Sequence, residues 1–291
     1  MRVLIGNMFL HTIGGSESFT HAVAEELLRR GHEVDLFAPN SGASVYADDL
    51  GIELNQLHGD YDAALVSHYP VVNMVLEKFS YLEGRIIQTC HGLIPTLEKP
   101  NPWARLVVIS EEIQHVHGGT LVRNGVNLDR FKPSHPLPEK PERLLSLSQS
   151  DEFNAMLSEV CFKRDIELRT RNKNVNPVFD VSTDIMWADI VVAIGRSAIE
   201  AMACWRAVLL ADNRAYQGPL SDSWAGINIA DGLGPVGSNY SGRYFRFQAT
   251  QAHIEKALSI YQPELGTWAR KQAEYDHDIR RNIQRYFEIV N

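Results

Sequence analysis

The chain has 291 residues, about twice the usual length of one domain, so two domains of roughly 130 to 150 residues each are expected. With 44% hydrophobic and 22% charged residues its composition is that of a globular protein, and no apolar run approaches the roughly 20 residues that span a bilayer. A formal net charge of -8 argues against broad, sequence-independent binding to nucleic acid, which needs clustered Lys and Arg to displace counterions.

Residues 3–5 form a short apolar, β-prone run that predicts the first strand. The opening MRVLIGNMF enters it directly, without the longer apolar segment and small-residue cleavage site of a secretory signal, which places the protein in the cytoplasm. After a loop, residues 17–30 carry Phe19, Val23, Leu27 and Leu28 at helical spacing, and Gly31 with His32 ends that helix. Residues 33–38 are the next strand, so the chain begins with a β-α-β unit whose strands lie parallel with a right-handed crossover. This second strand ends without the acidic residue that a dinucleotide ribose requires. There is no full Gly-x-Gly-x-x-Gly at the first turn, which argues against a nicotinamide dehydrogenase, and the Gly-Lys-Ser/Thr ending of a phosphate-binding kinase loop is also absent.

Apolar runs at Ala63–Ser67, 85–89 and 106–110 are further strands, each followed by a polar or glycine-containing loop. Alternating strands and helices predict an α/β fold with a doubly wound parallel sheet. Pro133, Pro136, Pro138 and Pro141 crowd residues 132–142, which forbids regular helix or a central strand and reads as a linker. The alternation then restarts, with strands at 144–148 and 166–169, helices at 153–163 and 184–187, and a strand at Ile190–Ala193. From 250 to 290 the pattern is helical throughout, with Ile254, Leu258, Ile279, Ile283 and Phe287 spaced for burial on one face. The expected organisation is a first domain at 1–133, a linker at 134–141, a second domain at 142–270, and a final helix at 271–291 that packs back on the first domain.

Gly14 and Gly15 fall between the first strand and the first helix, where missing side chains let backbone amides approach a phosphate and the helix dipole favours its charge. Glu17 lies in the first turn of the same helix, where an acidic residue is stabilising in any case. Gly195, Arg196 and Ser197 repeat the device between a later strand and helix, and Arg196 adds a permanent cation with several donors. Cys90, Cys161 and Cys204 are odd in number and widely spaced, so they read as small buried residues and not as a disulfide framework or a zinc site. Asp60 and Asp62 precede their strand and so lie at its amino end, the wrong side of a parallel sheet for a ligand. His115 and His117 point to different faces of a helix. No metal is expected.

Five landmarks occur in a fixed order: GGSE at 14–17, TCHG at 89–92, VVISEEI at 107–113, NGVNLDRFKP at 124–133 and EAMA at 200–203. With these the chain resembles the retaining glycosyltransferases of family four, which have the GT-B fold of two Rossmann-like, doubly wound parallel-sheet domains facing a central cleft. The resemblance implies transfer of a sugar from a nucleotide diphosphate donor with retention of anomeric configuration, without a metal or other cofactor. It implies donor binding by Gly14, Gly15, Gly195, Arg196, Ser197 and Glu200, with Glu200 accepting hydrogen bonds from the donor's ribose. His91 matches a family histidine near the reaction centre, and with Arg196 it makes up the implied catalytic pair. His68 has a similar location but a weaker match.

The implied partners are a nucleotide sugar and an acceptor, a saccharide, lipid-linked sugar or small molecule, with no nucleic acid. Base, sugar, acceptor and oligomeric state leave no mark on the sequence.

Two departures stand out. The family places a glutamate eight residues before the equivalent of Glu200, and here that position is Val192, inside an apolar strand. Relatives often place an arginine and a lysine after the strand equivalent to 144–148, whereas this chain reads SQSDEF; Arg171 and Lys173 are the substitute cations available. The missing glutamate keeps open a non-catalytic sugar-nucleotide-binding or scaffold protein, and the two-domain shape keeps open a nucleotide-sugar epimerase or hydrolase. Trp224, Tyr240 and Tyr244 lie in or beside the glycine-rich stretch 226–242, either an acceptor loop or an irregular surface connection.

Overall fold

A computed structural model describes residues 1–212, 215–219 (backbone) and 249–290. The glycine-rich stretch 226–242, with Trp224, Tyr240 and Tyr244, lies outside the described residues. In chain order the elements are β1 (Arg2–Gly6), α1 (Gly15–Arg29), β2 (Glu33–Phe37), α2 (Val45–Leu50), β3 (Ala63–Ser67), α3 (Tyr69–Lys78), β4 (Ile86–Cys90), β5 (Arg105–Val108), α4 (Glu111–His117) and β6 (Thr120–Leu121). They continue with β7 (Arg143–Ser146), α5 (Asp151–Lys163), β8 (Glu167–Thr170), α6 (Ser182–Trp187), β9 (Ile190–Ala193), α7 (Arg196–Ala203), β10 (Ala207–Asp212) and β11 (Ala215–Pro219). Three helices follow, α8 (Gln251–Ser259), α9 (Glu264–Asp276) and α10 (Ile279–Val290). The region expected to be helical throughout is therefore broken at 260–263, where Pro263 cannot continue a helix, and again at 277–278.

The chain forms two compact units, Met1–Asn127 with Asp278–Asn291, and Leu128–His277. The first holds a sheet in the order β2-β1-β3-β4-β5-β6, parallel at every pairing. Strands covered by helices on both faces need apolar residues at consecutive positions, which is why β3 reads Ala-Ala-Leu-Val and is buried along its whole length. One face packs against Phe19, Val23 and Leu27 of α1 and Ile279, Ile283 and Tyr286 of α10. The other packs against Val71, Val72 and Val75 of α3. Burial of each such side chain stabilises the fold by about 1.5–3 kcal/mol.

The second unit holds the order β11-β10-β9-β7-β8, parallel except where β11 joins β10. Phe153, Leu157 and Val160 of α5 and Ile254 and Leu258 of α8 share one apolar cluster with Leu144, Ile190, Val192 and Leu209 of the sheet. The proline-rich stretch belongs to this unit, because Arg206 is fully buried and fastens it. Its guanidinium donates to Ala188 O at 3.0 Å, Cys204 O at 2.9 Å and His135 O at 2.6 Å, and Tyr261 Oη donates to Pro138 O at 3.0 Å. Pro138 and its neighbours thus form a strap held by side chains, and the compact units part earlier, between Asn127 and Leu128.

Cys90, Cys161 and Cys204 are buried free thiols. Burial pushes their ionisation up to about 12, about 11 and about 12 respectively. Among the described residues, no helix is long and apolar enough to cross a membrane.

Strand order reverses between β1 and β3 in the first sheet and between β7 and β9 in the second. Ligands of open α/β sheets bind outside the carboxyl ends of the strands at such points. Each unit therefore offers one such place.

Candidate functional site

In the first unit the loops after β1, β3 and β4 bring Gly14, Glu17, His68, His91 and Glu98 to the carboxyl edge of the sheet. Gly14 is the residue before α1 and is extended, at φ -154° and ψ 173°. A Cβ on it would stand 2.5 Å from Glu17 Oε2, so only glycine leaves room for that carboxylate. Glu17 is held there by hydroxyl donors, Thr12 Oγ1 at 2.6 Å and Ser16 Oγ at 2.8 Å. The positive end of α1 thus already faces an anion of the chain's own. The pyrophosphate expected at Gly14 and Gly15 meets like charge on the Gly14 side, while Gly15 is exposed, with open space where a side chain would stand.

His91 follows β4 and is half-buried. Its Nε2 is hydrogen-bonded to Ser67 Oγ at 3.1 Å, its backbone N–H donates to Glu98 Oε2 at 2.8 Å, and its ring meets Phe19 edge-on at 4.7 Å. Both ring and backbone are therefore fixed. His68, set aside in the sequence as a weaker match, follows β3 at φ 76° and ψ 129°. This region disfavours any residue with a side chain, and holding it costs roughly 1–3 kcal/mol. Its Nδ1 accepts the Met8 N–H at 3.2 Å, and burial lowers its proton affinity, with the Glu17 charge opposing. The signal that marked His91, a histidine directly after a strand's carboxyl end, applied equally to His68. Glu98 carries no such signal, because it lies in the loop after His91 and reaches the cluster only through that loop's fold.

In the second unit Gly195 joins β9 to α7 at φ 61° and ψ -134°, a conformation open only to glycine, and among the described residues no side chain caps the helix there. The first amides of α7 lie beside the switch between β7 and β9, with the helix dipole behind them. Arg196 opens α7 with a side chain only 7% exposed, its Nε 3.1 Å from Glu200 Oε1. The two residues expected to act separately are thus one buried ion pair a helical turn apart. Burial pushes the Glu200 carboxyl above its ordinary range, with Arg196 pulling the other way. Ser197 is half-buried beside them. A second pair, Arg130 to Asp180 at 3.1 Å, acts electrostatically on Glu200, and the Arg130 guanidinium stacks on Phe179 at 5.4 Å.

Val192 lies inside β9 and is fully buried, so the position of the missing glutamate faces the core. After β7, Ser150 caps α5 by accepting the Phe153 N–H at 3.2 Å, and Asp151 and Glu152 occupy the first turn. That helix end is satisfied and acidic. Arg171, the substitute cation, is bound bidentately by Asp184 at 2.6 and 2.8 Å, with Arg169 on the same carboxylate at 2.8 Å. Lys173 is exposed. Among the described residues, no group of three or more His, Cys, Asp or Glu is placed to hold a metal ion.

Neither a family model nor a curated protein sequence matches the chain. Solved structures do. A glycosyltransferase from Rickettsia africae ESF-5 superposes with TM-score 0.60 at 15% identity, covering 100% of this chain and 98% of that one. The fold is GT-B. MurG of Acinetobacter baumannii follows with TM-score 0.53 at 11% identity, covering 99% of each chain. An alpha-glucosyltransferase in complex with UDP and a 13-mer DNA gives TM-score 0.55 at 8% identity, covering 100% of this chain and 99% of that one. In GT-B terms the two residue sets described above lie one in each Rossmann-like unit, both at the carboxyl edge of the sheet.

Proposed function

We propose that this GT-B chain is a glycosyltransferase that moves a sugar from a nucleoside diphosphate donor to an acceptor, with retention of anomeric configuration and without a metal. The observation that carries the proposal is the start of α7, where Gly195 opens an uncapped helix at the switch point of the second sheet and Arg196 and Glu200 form a buried pair directly behind it. Amides of Gly195, Arg196 and Ser197 would hold the diphosphate, and the helix dipole with Arg196 would stabilise the charge that builds up as it leaves. Glu200 would accept from the ribose hydroxyls. His91, held by Ser67 and Glu98, would present its ring to a sugar hydroxyl from the first unit. Catalysis would rest on positioning and preorganised dipoles. The balance of -8 speaks against a nucleic-acid acceptor.

The test is incubation with UDP-, GDP- and ADP-linked sugars, EDTA and a panel of glycoside acceptors, following release of nucleoside diphosphate and the anomeric proton of the product. Acceptor-dependent release with the donor's anomeric configuration kept is the expected result. Inversion would refute the stereochemical part, and a requirement for divalent ions the metal-free part. The buried Val192 supports a second reading, a sugar-nucleotide binder on the same fold. Binding of a donor without any release would favour it, and release without acceptor would favour an epimerase or hydrolase.

A further inference from the structure

The side chain of Asp184 on α6 is only 9% exposed and accepts from two arginines, Arg169 Nη1 at 2.8 Å and Arg171 Nε and Nη2 at 2.6 and 2.8 Å. One guanidinium is enough to neutralise a buried carboxylate. The second is surplus. Donors also remain unspent, since Nε and Nη2 of Arg169 and Nη1 of Arg171 have no partner among the described residues. The two side chains are 33% and 30% exposed, so the pair is open to solvent.

The pair is also braced. Asp184 holds both guanidinium groups, and that of Arg169 lies over the Trp187 ring at 3.9 Å, so little side-chain freedom is left to lose when a ligand binds. Arg143, on the same face of the sheet, donates to Trp187 O at 3.3 Å, and Lys173 just past β8 is exposed. Asp184 of α6 and Glu167 of β8 offset only two of these four charges, on a chain whose formal net charge is -8. A fixed fork of guanidinium donors with positive charge to spare fits one oxyanion, a carboxylate or a phosphate group.

Its place in the fold narrows the ligand. The Arg171 N–H donates to Ser146 O at 2.9 Å and the Leu147 N–H to Val192 O at 2.9 Å, so Arg171 and the turn at Gly195 stand level at the carboxyl edge. With β7 between β8 and β9, they are two strand spacings, or about 10 Å, apart. The crossovers from β8 to β9 and from β9 to β10 run in the same direction, which puts α6 and α7 on the same face. A nucleotide sugar with its diphosphate at the start of α7 is longer than that interval.

We propose that Arg169 and Arg171, braced by Asp184, bind one carboxylate or phosphate group of a ligand at a subsite separate from the start of α7. Its purpose rests on the transferase reading, under which the group belongs to the donated sugar and the donor is a uronic acid or another acidic sugar.

The full chain and its Arg169→Gln, Arg171→Gln and Arg171→Lys variants are titrated by calorimetry and by NMR of the arginine Nε–H signals. The probes are UDP, UDP-glucose, UDP-glucuronic acid, GDP, GDP-mannose, GDP-mannuronic acid, free glucuronic acid, glucose 6-phosphate and inorganic phosphate. Each single replacement leaves Asp184 paired with the other arginine, so the fold survives, and urea unfolding checks this.

For an acidic donor sugar, a uronate conjugate binds more tightly than its neutral counterpart, and this preference falls about ten-fold in either glutamine variant, with UDP and GDP unmoved. Arg171→Lys keeps the charge without the fork and recovers only part of it. For a separate small anion, free glucuronic acid, glucose 6-phosphate or phosphate binds whether or not nucleotide is present and weakens in the same variants. An equal loss for UDP or GDP alone would give the pair to the diphosphate and overturn the separate subsite. No preference for any acidic probe, or one that the variants leave unchanged, would reduce the second arginine to a structural residue and overturn the proposal. Arginine-dependent binding of the free anions, with no nucleotide bound, would instead sink the transferase reading and leave the subsite standing.

Discussion

At the scale of single residues, Arg196 and Glu200 carry the most weight. Removing one member of a buried ion pair leaves the other charge uncompensated, so Arg196→Ala should destabilise the chain by roughly 3–5 kcal/mol. It should also lower donor turnover about ten- to a thousandfold, as loss of one transition-state donor does. These effects separate in a double variant. Arg196→Met with Glu200→Gln removes both charges and should recover most of the urea-unfolding stability, because an apolar or neutral replacement of a buried pair is often nearly neutral. Turnover should stay low. Recovery of turnover together with stability would reduce Arg196 to a structural residue.

This pair was partly legible in the sequence: Gly195 stood out between strand and helix, and a spacing of four on α7 predicts contact. The fold-back of Glu17 over Gly14 was not legible, since it depends on hydroxyls of Thr12 and Ser16 meeting one carboxylate. Nor was the approach of His68 to Glu98, which lie in different loops.

At the scale of elements, the strands were legible because a parallel sheet covered on both faces writes itself as short apolar runs; β3 and β9 occupy the predicted residues Ala63–Ser67 and Ile190–Ala193. Short helices left too few turns to show a period, as in α2, Val45–Leu50, and α4, Glu111–His117. Prolines showed where regular structure stops but not which unit the strap joins, a matter decided by the buried Arg206.

The strap carries a pH dependence. The Arg206 guanidinium lies 3.1 Å from His135 Nε2, and burial, then Arg206, lower the histidine's proton affinity. The unfolded chain therefore binds this proton first as pH falls through the ordinary histidine range, about 6.5. Stability from this group is complete above that range and declines below it. Thermal midpoints measured from about pH 8 to about pH 5 should fall less for His135→Gln than for the unaltered chain. Parallel curves would contradict this. In the first unit, Ile283 of α10 is fully buried beside α1, so Ile283→Ala should cost roughly 2–5 kcal/mol in urea unfolding. A cost under about 0.5 kcal/mol, the range of surface substitutions, would mean that α10 does not complete that core.

At the scale of the whole molecule, each unit places candidate site residues at the carboxyl edge of its own sheet, but the two edges differ in make-up. Carboxylates and histidines gather in the first unit, at Glu17, Glu98, His68 and His91. The second offers an uncapped helix start with Arg196 behind it. Under the proposed function the second unit would hold the nucleoside diphosphate and the first would meet the sugar. The most direct test is calorimetric titration of UDP, GDP and ADP into the full chain and its Gly195→Ala variant, which forces a side chain into positive φ at the start of α7. The account predicts that at least one diphosphate binds and that Gly195→Ala weakens it about ten-fold or more, the loss of a charge-assisted contact. Binding of none, or equal binding by both proteins, would contradict it.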